Sequence, residues 1–392
     1  MINLVEKIDN KDKYSFNIER KAERGVLIEV HLQDLHFGVI DAKTQYDIYK
    51  TQILDELEKL DKIDIISING DYWHRKFMGN SDPILYGTLF FAELRSLAIR
   101  KGSTVVMIYG TNEHEAGQLQ LFYHYLEDPE FDLRIVETIK FEYIKGAKIL
   151  CIPELYNFDE RLYRYFLFES GEYDQCFMHG TFEGSVYGNN AGQSRLFRMN
   201  DFVNCRGPIM SGHVHIGGCF QKDFYYGGSP LRWKFGEEQE KGFMILLYDM
   251  DNRRYYPYMV PVKSFRYDTI NIDELMTGDP KEVIQYIDRL KEEDNIDYLR
   301  IEFNDEVPTE NMNIIRQYYQ NNGKIKLKIN KIKDIKNSSI DEKTIDKYNY
   351  IFDKNLSPYE ILARYINEQE KSVLIDAETI KNFMEDKLWN LE

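Results

Sequence analysis

The chain has 392 residues, of which 43% are hydrophobic and 14% aromatic, enough for one large core with one or two smaller modules. With 66 acidic against 50 basic side chains the formal net charge is −16, which argues against a protein that coats nucleic acid through bulk positive potential, although it does not report local fields. No window approaches the ~20 uncharged apolar residues of a membrane span, the charged opening MINLVEKIDNKDKYSF lacks the apolar centre of a secretory signal, and four cysteines without CxxC spacing suit a reducing cytoplasm. The first element is GVLIEVH, Gly25 to His31, an apolar β-branched run that predicts a buried strand ending at the polar LQDLHFG. The same grammar recurs in a helix around Tyr46 to Leu60, the strand IDIISIN and then Gly70-Asp71. It recurs again in a helix around Ile84 to Lys101, the strand TVVMIY and the stretch Gly110 to Glu115. QCFMHG and GPIMSGHVH continue the pattern, and FYYGG, GFMILLYDM and RRYYPYMVPV predict strands that complete a sheet by residue 263. Strands alternating with helices imply an α/β fold with crossover connections, whose ligand sites lie beyond the carboxyl ends of the strands.

From Ser264 the composition is more charged, and a helix (Pro280 to Glu293), the strand YLRIEF, a helix (Thr309 to Gln320) and the strand KIKLKI predict a separate α+β module over residues 264–333. The polar stretch KDIKNSSIDEKT has no apolar periodicity and marks a linker, residues 334–356. Ser357-Pro358-Tyr359-Glu360 has the cap, first-turn proline and capping glutamate of a helix start, and Asp376 caps a second helix with Ile380, Phe383, Met384 and Leu388 on one face. Residues 357–392 are therefore expected to form a helical pair.

Six of the eight histidines follow strand-like runs in short polar clusters: His36, His74, His114, His179, His213 and His215. Singly, such a histidine is more often a surface or hydrogen-bonded residue; jointly they suggest a ligand set. Asp34 and His36 have one residue between them, so in extended backbone both side chains reach the same side and could bind one cation. His213 and His215 repeat that spacing after Gly212, which permits close backbone approach. Asp71 follows a strand and a glycine, where a carboxylate can bridge two cations ~3.5–4 Å apart and so clamp both oxygens of an in-line phosphoryl displacement. Imidazole, carboxylate and amide donors without thiolate suit Mn, Fe or Zn. His31 inside the first strand and His124 on a helix read as structural, while Trp73, Phe77, Trp233 and Phe235 could pack in the core or stack on unpaired bases.

In order, these motifs are DxH at Asp34 and His36, GD at Gly70-Asp71, an N/H element, the pair His179-Gly180, and GHxH from Gly212 to His215. Over about residues 25 to 245 the set resembles the calcineurin-like metallophosphoesterases. Gly70-Asp71-Tyr72-Trp73-His74 is similar to the GD-x-x-H form of the SbcD-type double-strand-break repair nucleases, and the GD-x-x-D-R-G string of protein Ser/Thr phosphatases is absent. Tyr226 to Leu231, Phe235-Gly236-Glu237 and Lys241-Gly242-Phe243 carry the same likeness. The resemblance implies a four-layer α/β/β/α sandwich over residues 1–263, a small capping domain over 264–333, and a C-terminal element that binds an SbcC-type ATPase subunit. It implies two divalent cations, Mn²⁺ foremost, with Asp34, His36 and His215 on one, His179 and His213 on the other, and Asp71 bridging. His114 would orient the phosphate and protonate the leaving oxygen, and His74 would brace the metal loop or contact substrate. The activity implied is exo- and endonucleolytic hydrolysis of DNA in recombination or double-strand-break repair, with a homodimer expected.

One departure bears on the ligand set. The family pattern is G-N-H-D/E, whereas Gly110-Thr111-Asn112-Glu113-His114-Glu115 is longer between Gly and His, so Asn112 is the favoured ligand, with Glu113 or neither as the other outcomes. Two other readings stay open: a phosphatase or cyclic-nucleotide phosphodiesterase of the same chemistry, and a non-catalytic scaffold that binds DNA ends or the ATPase.

Overall fold

In the computed structural model the described residues are 25–76, 82–115, 117–154, 159–185, 195–237, 239–272, 279–303 and 307–329. The expected linker (334–356) and C-terminal helical pair (357–392) lie outside them, as does Phe77.

The first described element is β1 (Val26–Leu32), buried along nearly its whole length, which is why its sequence is mostly apolar rather than a regular apolar-polar alternation with an exposed face. Asp41 caps α1 (Ala42–Tyr49), accepting from the Thr44 amide at 2.8 Å; the helical path continues through a π-helical turn (Lys50–Leu54) into α2 (Asp55–Glu58). Next come β2 (Ile65–Asn69), α3 (Asp82–Lys101), β3 (Thr104–Ile108), the single-turn α4 (Asn112–Glu115), a 3-10 run (Gln118–Glu127) and β4 (Leu133–Val136). A second series follows: β5 (Lys140–Ile144), β6 (Ala147–Ile152), α5 (Glu160–Arg164), β7 (Gln175–His179), the short β8 (Thr181–Phe182) and β9 (Leu196–Phe197), then β10 (Ile209–Gly212), β11 (Gly218–Gln221) and β12 (Phe224–Tyr226). β13 (Gly242–Asp249) and β14 (Arg254–Pro261) return to the first series.

The fold is mixed α/β, as the alternation of elements predicts. One six-stranded sheet has the order β14-β13-β1-β2-β3-β4 and the other β11-β12-β10-β7-β6-β5. In the first, β1 to β4 are parallel and β13 pairs antiparallel with β1. In the second, β6, β7, β10 and β12 are parallel, with antiparallel strands at the two edges. Each sheet therefore sends several carboxyl ends, and the loops that follow them, to one edge.

One apolar cluster covers the first sheet with α1 and α3 residues such as Tyr49, Phe90 and Leu94, and a second covers the other sheet with Tyr163 and Leu167. A third draws on both sheets, joining Val106, Ile108 and Leu246 to Cys151, Phe177 and Met210. Several polar side chains buried beside it pair with one another: Glu29 accepts from Gln175 Nε2 at 2.6 Å, and His31 lies 2.6 Å from Ser67 Oγ and 3.2 Å from Glu29 Oε2. Pairing of this kind removes the penalty of burying them and makes His31 structural, as its place in the strand predicts. Cys151 and Cys176 are buried free thiols.

After β14 come β15 (Tyr267–Ile272), α6 (Pro280–Glu293), β16 (Tyr298–Phe303), α7 (Thr309–Tyr319) and β17 (Ile325–Ile329), with a sheet order β15-β16-β17. The described residues divide into two compact units: those up to 269 with 287–300 and 324–326, and the remaining described ones. Both six-stranded sheets belong to the first. Among the described residues no helix is long and apolar enough to cross a membrane.

Candidate metal centre

The loops after β1 and β2 are tied to each other before any side chain is considered. The amides of Asp34, His36 and Phe37 donate to the carbonyls of Gly70 (3.2 Å), Asp71 (2.9 Å) and Tyr72 (2.9 Å), and the His74 amide returns to Phe37 O (3.1 Å). Within this ladder Asp34, His36 and Asp71 take φ values of 50°, 47° and 49°, and His213 in the other sheet's loop takes 86°. Left-handed backbone at non-glycine residues costs of order 1–3 kcal/mol each and persists only where the surroundings enforce it. Asp34 and His36 thus converge through two left-handed turns rather than by the extended alternation their spacing suggests.

The second sheet is bound to this ladder by the His213 amide, which lies 3.1 Å from both Asp34 carboxylate oxygens. Gly212 makes the approach possible. A Cβ there would stand 2.1 Å from Asn69 O and 2.7 Å from His179 Nδ1.

Four groups of ligand-type atoms result, each with its atoms within 4.8 Å of one another: Asp34, His36 and His215; Asp34, Asp71 and His179; Glu154, His179 and His213; and His36, His74 and His114. His36 Nε2 faces His215 Nε2 at 3.0 Å. Asp71 Oδ2 is 3.5 Å from His179 Nε2, 3.9 Å from His36 Nε2 and 3.9 Å from His114 Nε2, so this one carboxylate sits between the two halves of the cluster. Six residues singled out as ligands in the sequence (Asp34, His36, Asp71, His179, His213, His215) are brought together, and His74 and His114 border them. Asn112 and Glu113 are both exposed in α4. It is Thr111 that turns inward, its amide donating to Asp71 Oδ1 at 2.7 Å and its hydroxyl to Oδ2 at 3.2 Å.

The electrostatics are those of a buried charge cluster. Burial works against the charge of Asp71, yet His179, His36 and His114 hold its carboxyl well below the usual carboxylate range. Burial pushes Asp34 up, against the pull of His215 and His179. It pushes His36 well below the ordinary imidazole value, and His74 down to about 4, leaving both neutral, the form in which imidazole binds a metal. Burial would also lower His179, but Asp71, by charge and hydrogen bond, and Glu154 outweigh it and raise the group to about 10. A proton on His179 therefore stands where a cation would compete.

Several supporting residues carried no role in the sequence reading. Glu154 lies just past β6 with its Oε2 3.0 Å from His213 Nδ1 and 3.3 Å from His179 Nε2. The signal that would have found it is the one used for the histidines, a polar residue at a strand's carboxyl end. Glu237 Oε1 is 3.2 Å from His215 Nδ1, and Lys241 Nζ, 3.5 Å from the other oxygen, also donates to His215 O at 3.0 Å. Glu115 accepts from the Tyr72 amide at 2.6 Å; burial, with Asp71 nearby, raises its carboxyl to about 8. Asn69 O accepts from His179 Nδ1 at 2.8 Å, which aims Nε2 at Asp71. Of the aromatic residues left open between packing and stacking, Trp73 is fully buried against Phe122, while Trp233 is half-buried beside His36, His74 and His215.

The donor set, imidazole nitrogens and carboxylate oxygens with no thiolate, fits divalent cations of the Mn, Fe or Zn kind. No family model matches the chain and no curated protein matches it. A crystal structure among the solved ones covers 60% of this chain and 99% of its own at 13% identity with a TM-score of 0.35, a likeness too slight to bear on fold or function.

Proposed function

We propose that this chain is a two-cation phosphodiesterase of the calcineurin-like metallophosphoesterase kind, its two sheets and their helices forming a four-layer α/β/β/α sandwich, and that its substrate is DNA. The observation that carries the reading is the meeting of Asp34, His36, Asp71, His179, His213 and His215, from strand ends and loops of both sheets, in one cluster of which all but His213 are buried. Asp34, His36 and His215 would hold one cation, His179 and His213 the other, and Asp71 both. Such a pair, when bound, supplies Lewis acidity to a phosphate and acidifies the attacking water.

The remaining chemistry belongs to the chain. His114 Nδ1 donates to the His74 carbonyl, which fixes that proton and leaves Nε2 facing the cluster from a side chain 26% exposed. In this position Nε2 can carry a second proton to a leaving oxygen. Trp233 stands at the same rim beside His74, and it is the aromatic side chain we propose to meet an unpaired base. The formal charge of −16 is compatible with a polyanionic substrate because the attraction acts at the cations. Mn²⁺ as the native metal, a homodimeric state, an SbcC-type ATPase partner and a role in double-strand-break repair belong to the same proposal and follow from the motif resemblance.

The test is hydrolysis with Mn²⁺ supplied, comparing single-stranded circular DNA with small phosphomonoesters and cyclic nucleotides. Cutting of the circle is expected. Activity confined to small esters would favour the phosphatase or cyclic-nucleotide reading, and failure to bind a cation pair would leave the scaffold reading.

A further inference from the structure

We infer that Glu154 is a direct ligand of the cation that His179 and His213 would hold, an assignment that rests on the two-cation reading above. Ligands bound at ~2.1 Å to one cation at angles of ~90–110° lie roughly 3.0–3.4 Å apart. Glu154 Oε2 stands 3.0 Å from His213 Nδ1 and 3.3 Å from His179 Nε2, the separations of a shared coordination sphere. Asp71 Oδ2, 3.5 Å from the same His179 nitrogen, closes it on the other side.

The glutamate is held for this role. It is 4% exposed, and its amide donates to Tyr109 O at 3.1 Å, which fixes the backbone just past β6 against the end of β3. Thr111 Oγ1, 3.3 Å from Oε2, braces the carboxylate from the neighbouring loop. Asn112, to which the motif resemblance gives an oxygen-ligand position, is exposed at the first residue of α4. The longer Gly110–His114 segment turns Thr111 inward where a shorter loop would present the amide. A carboxylate in place of an amide adds one negative charge beside the cations, which strengthens their retention and favours hard metals over soft ones.

Mn²⁺ binding to the full chain, measured by calorimetry and by electron paramagnetic resonance of the free ion, tests the assignment. The unaltered protein is expected to take up a pair of ions. Glu154→Ala should hold one at concentrations that load two in the parent. Glu154→Gln, which keeps an oxygen donor and loses the charge, should hold two with the second weakened at least ~10-fold. Asn112→Ala should match the parent. Parental stoichiometry and affinity in both Glu154 variants, or loss of an ion in Asn112→Ala, would overturn the assignment. If Glu154→Ala melts early without Mn²⁺, the glutamine variant decides. A parent chain that binds no pair sinks the two-cation reading itself, which separates the two failures.

Discussion

Replacing Gly212 by alanine puts a methyl group into space already filled by the Asn69 carbonyl. The added Cβ would sit 2.1 Å from that oxygen, whereas ordinary contact begins at 3.4 Å, so backbone must retreat by about 1.3 Å. Neither side yields easily, since Asn69 ends a buried parallel strand and Gly212 ends β10, which pairs with β7 at His179. Overpacking of this sort costs roughly 1–3 kcal/mol, and straining the 2.8 Å hydrogen bond from His179 Nδ1 to Asn69 O adds about 1 kcal/mol. A loss of roughly 2–4 kcal/mol corresponds, for a unit of this size, to a melting temperature lower by about 3–7 °C. The ligands move too. His213 follows directly in the chain, and a misplacement of about 1 Å can reduce turnover ~10²-fold. Differential scanning calorimetry and Mn²⁺ titration read the two effects separately, with Gly323→Ala, where a Cβ meets nothing within 4 Å, as the control. A Gly212→Ala protein that melts and binds Mn²⁺ like its parent would refute the claim that the sheets meet at this glycine.

His114→Ala should leave cation binding intact while lowering DNA cleavage by ~10²–10⁴-fold, the usual contribution of a positioned acid; full activity would exclude the role. Glu237→Gln removes the charge that orients His215 and should weaken Mn²⁺ binding by ~10–100-fold at unchanged secondary structure, checked by titration and circular dichroism. Because His179 is raised to about 10, a proton competes with the cation at lower pH, so Mn²⁺ affinity should climb as pH rises toward that value and proton release should accompany binding. Calorimetry in buffers of different ionisation enthalpy measures that release, and an affinity flat between about pH 6 and 8 would count against it.

The elements were legible because burial imposes period and length on sequence. GVLIEVH and IDIISIN are rich in β-branched apolar residues because both faces of the strands they form are covered, their few polar side chains being buried with the rest, and Pro280 to Glu293 reads as a helix by its charge-and-apolar periodicity. The histidines after strand ends were legible for the same reason, as polar residues placed where a strand stops. The backbone that aims them was not. No propensity rule assigns φ near 50° to an aspartate or histidine, so Asp34 and His36 looked like neighbours in an extended chain. Glu154 escaped notice because a lone glutamate after CIP has no motif partner in sequence; its partners, His179 and His213, are supplied only by the pairing of β6, β7 and β10.

The departures from local preference are concentrated where the charges are. Of the eight non-glycine residues with positive φ among those described, four are Asp34, His36, Asp71 and His213. The same small volume holds three buried carboxylates, Asp34, Asp71 and Glu154; burial raises Asp34 against its neighbouring imidazoles, and the charge of Asp71 adds to that rise. Strained backbone and like charges together destabilise a fold unless something supplies compensating contacts, and the apolar layers on either side do not touch these groups' charge. Protonated His179 offsets part of that charge in the protein alone. A pair of divalent ions would offset all of it, which is why the arrangement makes physical sense as a cation receptor and little sense as a structural polar core like the paired Glu29, His31 and Gln175 beneath it.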